Sequence, residues 1–340
     1  MADVTQTVAL LVLAQNYRGN VVRQINRRSA LLKLLPLVQG EGKNCAWSVQ
    51  GSGQIGENYT EGADASNFGS DEQVEALLSW GHYRANFHVS GTARRTAATS
   101  RSPMGVQNLV GRNMQDALTR LVSVCNAALF TGAGTGTTIA GLDVAVADNT
   151  NTYAGIDRTT KTYFKPYVID PGAPTNISFA QIRTDLGAIY NASGEQPDIA
   201  ICSTAVFNQV VDLFDENRRW IQDVTTARGA VKLDAGYGGV EVDGCVFIRD
   251  KDATEGQIYY LNTSHVHIEY LPLEASIMEA LGEMGLLLSA DDGYGSWPLG
   301  ILVHALAKNG DSDRYEALTN LQLVVDRPNS CGARLNVATA

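Results

Sequence analysis

The chain has 340 residues, of which 44% are hydrophobic, and a formal net charge of -10. That length gives room for two or three units of ~100 to 200 residues with a sizeable core. The acidic balance and the lack of an extended Lys/Arg run argue against free, high-affinity binding of nucleic acid, though not against enclosing it.

Cys45, Cys125, Cys202, Cys245 and Cys331 are odd in number, scattered and without a C-x-x-C pair, so they read as reduced, mostly buried thiols of a protein made in a cytosol. The apolar run Val8 to Ala14 follows Asp3 and no basic residue, and it is too short to span a bilayer. Neither a signal peptide nor an anchor is expected, and the protein is expected to be soluble, without membrane contact, inside the producing cell.

Residues 1 to 40 form a basic arm. Arg18, Arg23, Arg27, Arg28 and Lys33 meet no acid between Asp3 and Glu41, while Leu31, Leu32, Leu34, Leu35 and Leu37 supply apolar anchors for docking on another surface. Asn44 to Gln50 alternates as a strand does, and Leu77 to Ser90 is a second strand-like run with Trp80, Tyr83, Phe87 and Val89. Between them Gly51 to Glu75 is polar, Gly-rich and acidic, and carries Glu57, Glu61, Asp64, Asp71, Glu72 and Glu75 with no basic residue. Together they predict a long hairpin with a flexible tip. An isolated hairpin is marginal in water, so this one should lean on something outside its own domain.

The strongest signal runs from Ser102 to Gly132. Val106, Val110, Met114, Ala117, Leu118, Leu121, Val122, Cys125, Ala128 and Leu129 recur at three- and four-residue intervals, which predicts one long amphipathic helix. Ser102 suits the N-cap, Pro103 the first turn and Gly132 a left-handed stop. About 28 residues at ~1.5 Å make a rod of ~42 Å. A Gly/Thr turn follows at Gly132 to Thr138, then a strand at Tyr163 to Ile169 closed by Pro171 and Pro174. Helices are expected over Ser178 to Tyr190 and Thr204 to Phe214, and strands over Asp198 to Cys202, Gly239 to Arg249 and Gln257 to Leu261. Three more strands follow, Ser264 to Leu271, Ile301 to Lys308 and Ala317 to Val325, the last two joined by the turn Asn309 to Ser312. Segment 272 to 299 has no clear pattern.

Chemical motifs are weak. Gly51-x-Gly53-x-x-Gly56 follows a strand with Asp71 twenty residues on, the outline of a dinucleotide fingerprint, which would make the chain a nucleotide-binding enzyme. That chemistry needs a helix opening at the third glycine, and Glu57 to Ser70 lacks helical periodicity. Gly132, Gly134 and Gly136 contain no lysine and follow a helix, so they read as a terminator. His265, His267 and Glu269 alternate on a strand, either as metal ligands or as part of a solvated sheet face. Asp311 and Asp313 lack a calcium loop's downstream Gly and Glu. No G-x-S-x-G or Cys/His pairing suggests nucleophilic catalysis, so no catalytic, cofactor or metal residue is expected.

The helix exit Ala128 to Leu142, the run Pro197 to Val211 followed by Asp215 to Trp220, and Gly244 to Arg249 with Tyr259 to Asn262 resemble the tailed-bacteriophage major capsid protein, the Hong Kong 97-type shell fold shared with encapsulins. The resemblance covers nearly the whole chain and implies an α+β fold. It implies an N-terminal arm at 1–42, an extended loop at 43–93, a peripheral domain at 94–168 and 263–340 with its spine helix at 102–132, and an axial domain at 169–262. By the same resemblance the chain is a non-enzymatic structural protein. It would self-assemble into pentamers and hexamers of an icosahedral virion shell enclosing double-stranded DNA, in the host bacterial cytoplasm. Portal and decoration proteins are further implied partners. With no long charged helical leader before the arm, a separate scaffolding protein, or none, is expected. An encapsulin compartment is the alternative within the fold. Arm residues Arg18, Arg23, Arg27 and Arg28, loop acids Glu57, Glu61, Asp64 and Asp71, and Arg94 and Arg95 are the expected inter-subunit contacts, with Arg101 a further basic candidate. Some members of the family link an extended-loop lysine to a neighbour's asparagine. Asn44 to Ser90 contains no lysine, so a non-covalent shell is expected.

Overall fold

The computed structural model describes residues 31–53, 58, 60–62, 69–99, 106–213, 220–221, 223–226, 229–232, 239–272 and 300–339. Residues 1–30 of the arm, Gly56, Glu57, Asp64, Arg101, the Ser102/Pro103 cap, the loop 214–219 and segment 273–299 lie outside these. In chain order the elements begin with α1 (Leu31–Leu34), β1 (Leu37–Gln39), β2 (Asn44–Ser52), β3 (Glu72–Ser79), β4 (Gly81–Ser90), α2 (Gly91–Thr99) and α3 (Val106–Thr131). They continue with α4 (Leu142–Ala145), β5 (Thr152–Tyr153), β6 (Ile156–Asp157), β7 (Tyr167–Ile169), α5 (Phe179–Ser193), β8 (Ile199–Cys202) and α6 (Thr204–Asp212). Then come β9 (Trp220–Ile221), β10 (Asp223–Thr226), β11 (Gly229–Lys232), β12 (Gly239–Val242), β13 (Cys245–Arg249), β14 (Ile258–Leu261), β15 (Val266–Tyr270), β16 (Leu302–Asn309), β17 (Ser312–Val325) and β18 (Gly332–Arg334).

The chain forms two units, one holding His82–Asn126 and Tyr270–Leu321, the other Ala30–Gly81, Ala127–Glu269 and Gln322–Ala340. In the first, β17 pairs with β16 and with β4, and Phe87 stacks on Tyr315 at 4.9 Å. The buried stripe of α3 in this unit is Met114, Ala117, Leu118, Leu121 and Cys125, which are the spacing positions of the sequence.

The second unit centres on a seven-stranded mixed sheet, β7-β18-β14-β8-β13-β12-β9. Helix α5 starts with a full capping box: the Gln181 N–H bonds to Ser178 Oγ and the Gln181 side chain returns to the Ser178 N–H. It ends at Gly194, whose left-handed φ of 77° closes the last turn. Ile182, Leu186 and Ile189 of α5 and Val206, Phe207 and Val210 of α6 form one core with Ala200, Cys202, Phe247, Ile258 and Tyr260 of the sheet. Strands β8 and β14 are buried at every position, so apolar side chains cover both faces and the period-2 signal disappears from the sequence there. Phe130, near the end of α3, lies 5.9 Å from Tyr259.

Four local expectations change. Leu77–Ser90 is two strands parted at Trp80, whose buried indole donates to Gly42 O at 3.1 Å. Gly239–Arg249 is a hairpin about Asp243 and Gly244, with left-handed φ of 50° and 83°. Tyr163 opens a segment that is first a 3-10 turn and becomes strand only at Tyr167. Gly132 ends α3, but not by a left-handed backbone. A Cβ there would press on the carbonyls of Ile139 and Ala128, so close approach of the returning chain demands glycine, while Gly134 and Gly136 adopt φ of 67° and 65°.

Candidate assembly surfaces

Two surfaces and two histidine clusters hold the described contact and metal-ligand candidates of the sequence. The first surface is the hairpin. Strands β2 and β3 pair antiparallel, with Cys45 opposite Leu78, Trp47 opposite Ala76 and Val49 opposite Val74. These residues turn inward, while Ala46, Ser48, Gln50, Gln73, Glu75 and Leu77 turn outward, so the alternation of the sequence divides a packed face from an exposed one. The inward face packs on the chain's own second unit: Trp47 lies 6.4 Å from Tyr153, and Leu77 N–H donates to Ala154 O at 2.9 Å. The stem of the hairpin therefore leans on its own chain, on residues outside the 43–93 segment. At its mouth Asp71 accepts from Gln50 Nε2 at 2.5 Å, and Glu61 is exposed.

The described residues of the glycine motif argue against the dinucleotide reading. Gly51 belongs to β2, and it is glycine because a Cβ there would overlap the Tyr163 ring. Asp71, the acid a ribose would need, is bonded across the hairpin mouth.

The second surface is α2 with the turn between β16 and β17, all in the first unit. Ser90 Oγ caps α2 by accepting from Ala93 N–H at 3.2 Å. Asp311 O accepts from Gly91 N–H at 2.5 Å, and the Asp311 side chain sits beside Arg95 at 3.8 Å. Arg94 bonds Asp313 at 2.5 Å. Both expected contact arginines thus hold an acid of their own chain, although Arg95 remains 82% exposed.

The histidines of β15 face carboxylates. His265 Nε2 lies 2.8 Å from Glu195 Oε2, which also accepts from Asn262 at 2.9 Å, while Glu195 Oε1 receives Arg327 at 2.7 Å. His267 sits between Glu269, 3.2 Å from Nε2, and Asp326, 3.6 Å from Nδ1. The two acids approach opposite nitrogens, so they cannot share one ion with the ring, and no group of three metal-ligating residues occurs among the described residues. Hydrogen bonding from His267 holds the Glu269 carboxyl below its ordinary range. All five cysteines are free and buried, and burial raises each thiol pKa, with Cys331 pushed up to about 11. Such thiols are unreactive.

Sequence reasoning missed three polar anchors. Arg158 is fully buried, and its guanidinium donates to Val144 O at 2.8 Å, to Ala145 O at 2.6 Å and to Asp148 O, gathering the end of α4. Burial lowers its pKa to about 10. Arg334 grips Asp185 through two bonds of 2.6 Å, with Tyr260 Oη donating to the same carboxylate at 3.2 Å. Lys161 pairs with Glu72 of the hairpin. Nothing in local spacing marks these partners, which lie 10 to 14 positions away for Arg158, 89 for Lys161 and 149 for Arg334.

No protein-family model matches the chain, and no curated protein sequence matches it. Solved structures do. The capsid subunit of cyanophage A-1(L) superposes with a TM-score of 0.73 at 19% identity, covering 98% of this chain and 99% of that one. The capsid of a native GTA particle matches at 0.59 and 14% identity, over 98% of this chain and 100% of that one. The SrpI encapsulin of Synechococcus elongatus matches at 0.57 and 13% identity, over 100% and 98%. The fold is that of a shell subunit. More narrowly, it is the α+β Hong Kong 97-type fold of tailed-phage major capsid proteins and their encapsulin relatives.

Proposed function

We propose that this chain is the major capsid protein of a tailed phage, assembling as pentamers and hexamers into an icosahedral shell around double-stranded DNA. The observation that carries the reading is the end-to-end likeness to the cyanophage capsid subunit, at a TM-score of 0.73 against 0.57 for the encapsulin. In this reading 1–42 is the arm, 43–93 the extended loop, 94–168 and 263–340 the peripheral domain, and 169–262 the axial domain.

The acidic mouth of the hairpin, Glu57, Glu61, Asp64 and Asp71, then meets basic residues of a neighbouring copy: Arg94, Arg95 and the arm's Arg18, Arg23, Arg27 and Arg28. Arg95 can serve a second acid because a guanidinium has five donors and this one is largely exposed. Exposed pairs contribute only ~0 to 1 kcal/mol each, so many must act together and the shell loosens as salt rises. The net charge of -10 suits enclosure of DNA without tight or sequence-specific binding. Assembly takes place in the host cytoplasm, with portal, decoration and scaffolding proteins as further partners.

Electron microscopy of the purified protein, with nucleic acid measured in the particles, tests this. Closed icosahedral shells that package DNA during infection support it. Shells carrying a protein cargo and no DNA establish the encapsulin alternative, and failure to form any particle refutes both.

A further inference from the structure

The hairpin is seated on a small platform made by residues 152 to 164 of its own chain. Strands β5 and β6 pair Thr152 with Asp157 and Tyr153 with Ile156, and the connecting Ala154 and Gly155 have left-handed φ of 51° and 78°. Left-handed backbone disfavours alanine, so the surrounding packing must hold Ala154 there. Its carbonyl accepts the Leu77 N–H at 2.9 Å. Leu77 stands opposite Ala46 in the ladder, and its N–H points away from β2. The platform is braced from both ends. Arg158 ties it to the carbonyls of Val144 and Ala145, while Asp157 Oδ1 accepts from Thr159 N–H at 2.8 Å and Oγ1 at 2.7 Å. Lys161 N–H bonds Asp157 O at 3.0 Å, which fixes where the lysine side chain begins. That side chain reaches Glu72, the first residue of β3, and the Tyr163 ring lies against Gly51 on the adjoining strand. Besides the Trp47–Tyr153 packing, three contacts therefore grip the stem, one near its base at Leu77 and two where the tip departs.

We propose that Lys161, with the Ala154 carbonyl and Tyr163, is a positioning residue for assembly: the platform sets the angle at which the hairpin leaves its own subunit and hence where its tip meets the next copy. The inference rests on the shell reading above. A rigid stem carries its orientation to the tip, so a small change at Glu72 becomes a larger displacement further out. Both side chains of the pair are partly solvated, so its share of the grip comes from charge rather than from packing.

The test uses full-length protein carrying Lys161→Glu, Glu72→Lys, or both together, with Gly51→Ala as a charge-neutral way to push Tyr163 off its seat. Hydrogen exchange is measured on unassembled protein and particle diameter by electron microscopy. Each single charge variant is expected to speed exchange of amides 72–79 by up to about fivefold, with a thermal midpoint near wild type and a broadened spread of shell diameters. Gly51→Ala gives the same broadening, and the charge-swapped double variant restores both wild-type exchange and a uniform diameter. Wild-type exchange and uniform wild-type shells in both single variants would overturn the proposal, as would failure of the swap to restore them. If the wild-type protein forms no shell, the capsid reading falls on its own, while the exchange experiment still decides whether the platform grips the hairpin.

Discussion

Replacing Arg334 by methionine gives the most demanding check on the energetics of the second unit. The Arg334 side chain reaches Asp185 through two bonds of 2.6 Å, and the carboxylate is 1% exposed. Burial alone pushes the Asp185 carboxyl pKa upward, and Arg334 opposes that push. Methionine fills much of the guanidinium's volume but leaves the carboxylate with the single Tyr260 O–H bond at 3.2 Å. Breaking a buried pair by removing one partner costs ~3 to 5 kcal/mol, because the remaining charge is neither solvated nor paired. At 1.4 kcal/mol per tenfold this is roughly 150- to 4000-fold in the folding equilibrium. Asp185→Leu combined with Arg334→Met removes both charges and should recover most of that loss. Urea unfolding of the unassembled protein, followed by far-UV circular dichroism, measures both. A loss below about 1 kcal/mol in the single variant, or a double variant no more stable than the single, would refute the view that the desolvated carboxylate dominates.

Leu121 on α3 is 1% exposed, so Leu121→Asp buries an unpaired charge and should cost ~3 kcal/mol or more, read as loss of soluble protein. Hydrogen bonds from Thr159 to Asp157, from Gly172 to Asp170 and from His267 to Glu269 hold these carboxyls below their ordinary values. Groups depressed in the folded state stabilise it above their unfolded pKa and lose that contribution as pH falls. The thermal midpoint should thus drop progressively below about pH 4, and a midpoint that rises between pH 5 and pH 3 contradicts this. With no lysine between Asn44 and Ser90, particles boiled in detergent should run as one band of 36.5 kDa, and a ladder of covalent oligomers would contradict it.

The sequence by itself determined the elements whose cause is local. The spine helix was legible because Met114, Leu118, Leu121 and Cys125 repeat at the helical period; the capping box of Ser178 and Gln181 that starts α5 is equally local. The paired strands of the hairpin were legible through alternation, and the order of elements resembled a shell subunit because that order is a property of the chain. What only the tertiary structure decided depends on residues brought together from far apart. The stem of the hairpin rests on residues 152 to 164 through partners distant in sequence, Trp47 with Tyr153, Leu77 with Ala154 and Glu72 with Lys161, 89 positions on. The break at Trp80 follows from a buried indole bonded to Gly42, and Gly132 is required by the returning carbonyl of Ile139. Arg158 and the Asp185–Arg334 pair carry no pattern in sequence, since a buried charge is tolerated wherever the fold happens to gather its partners. Periodicity reports which face of an element is apolar, whereas the partner of each polar group is set by how distant elements pack.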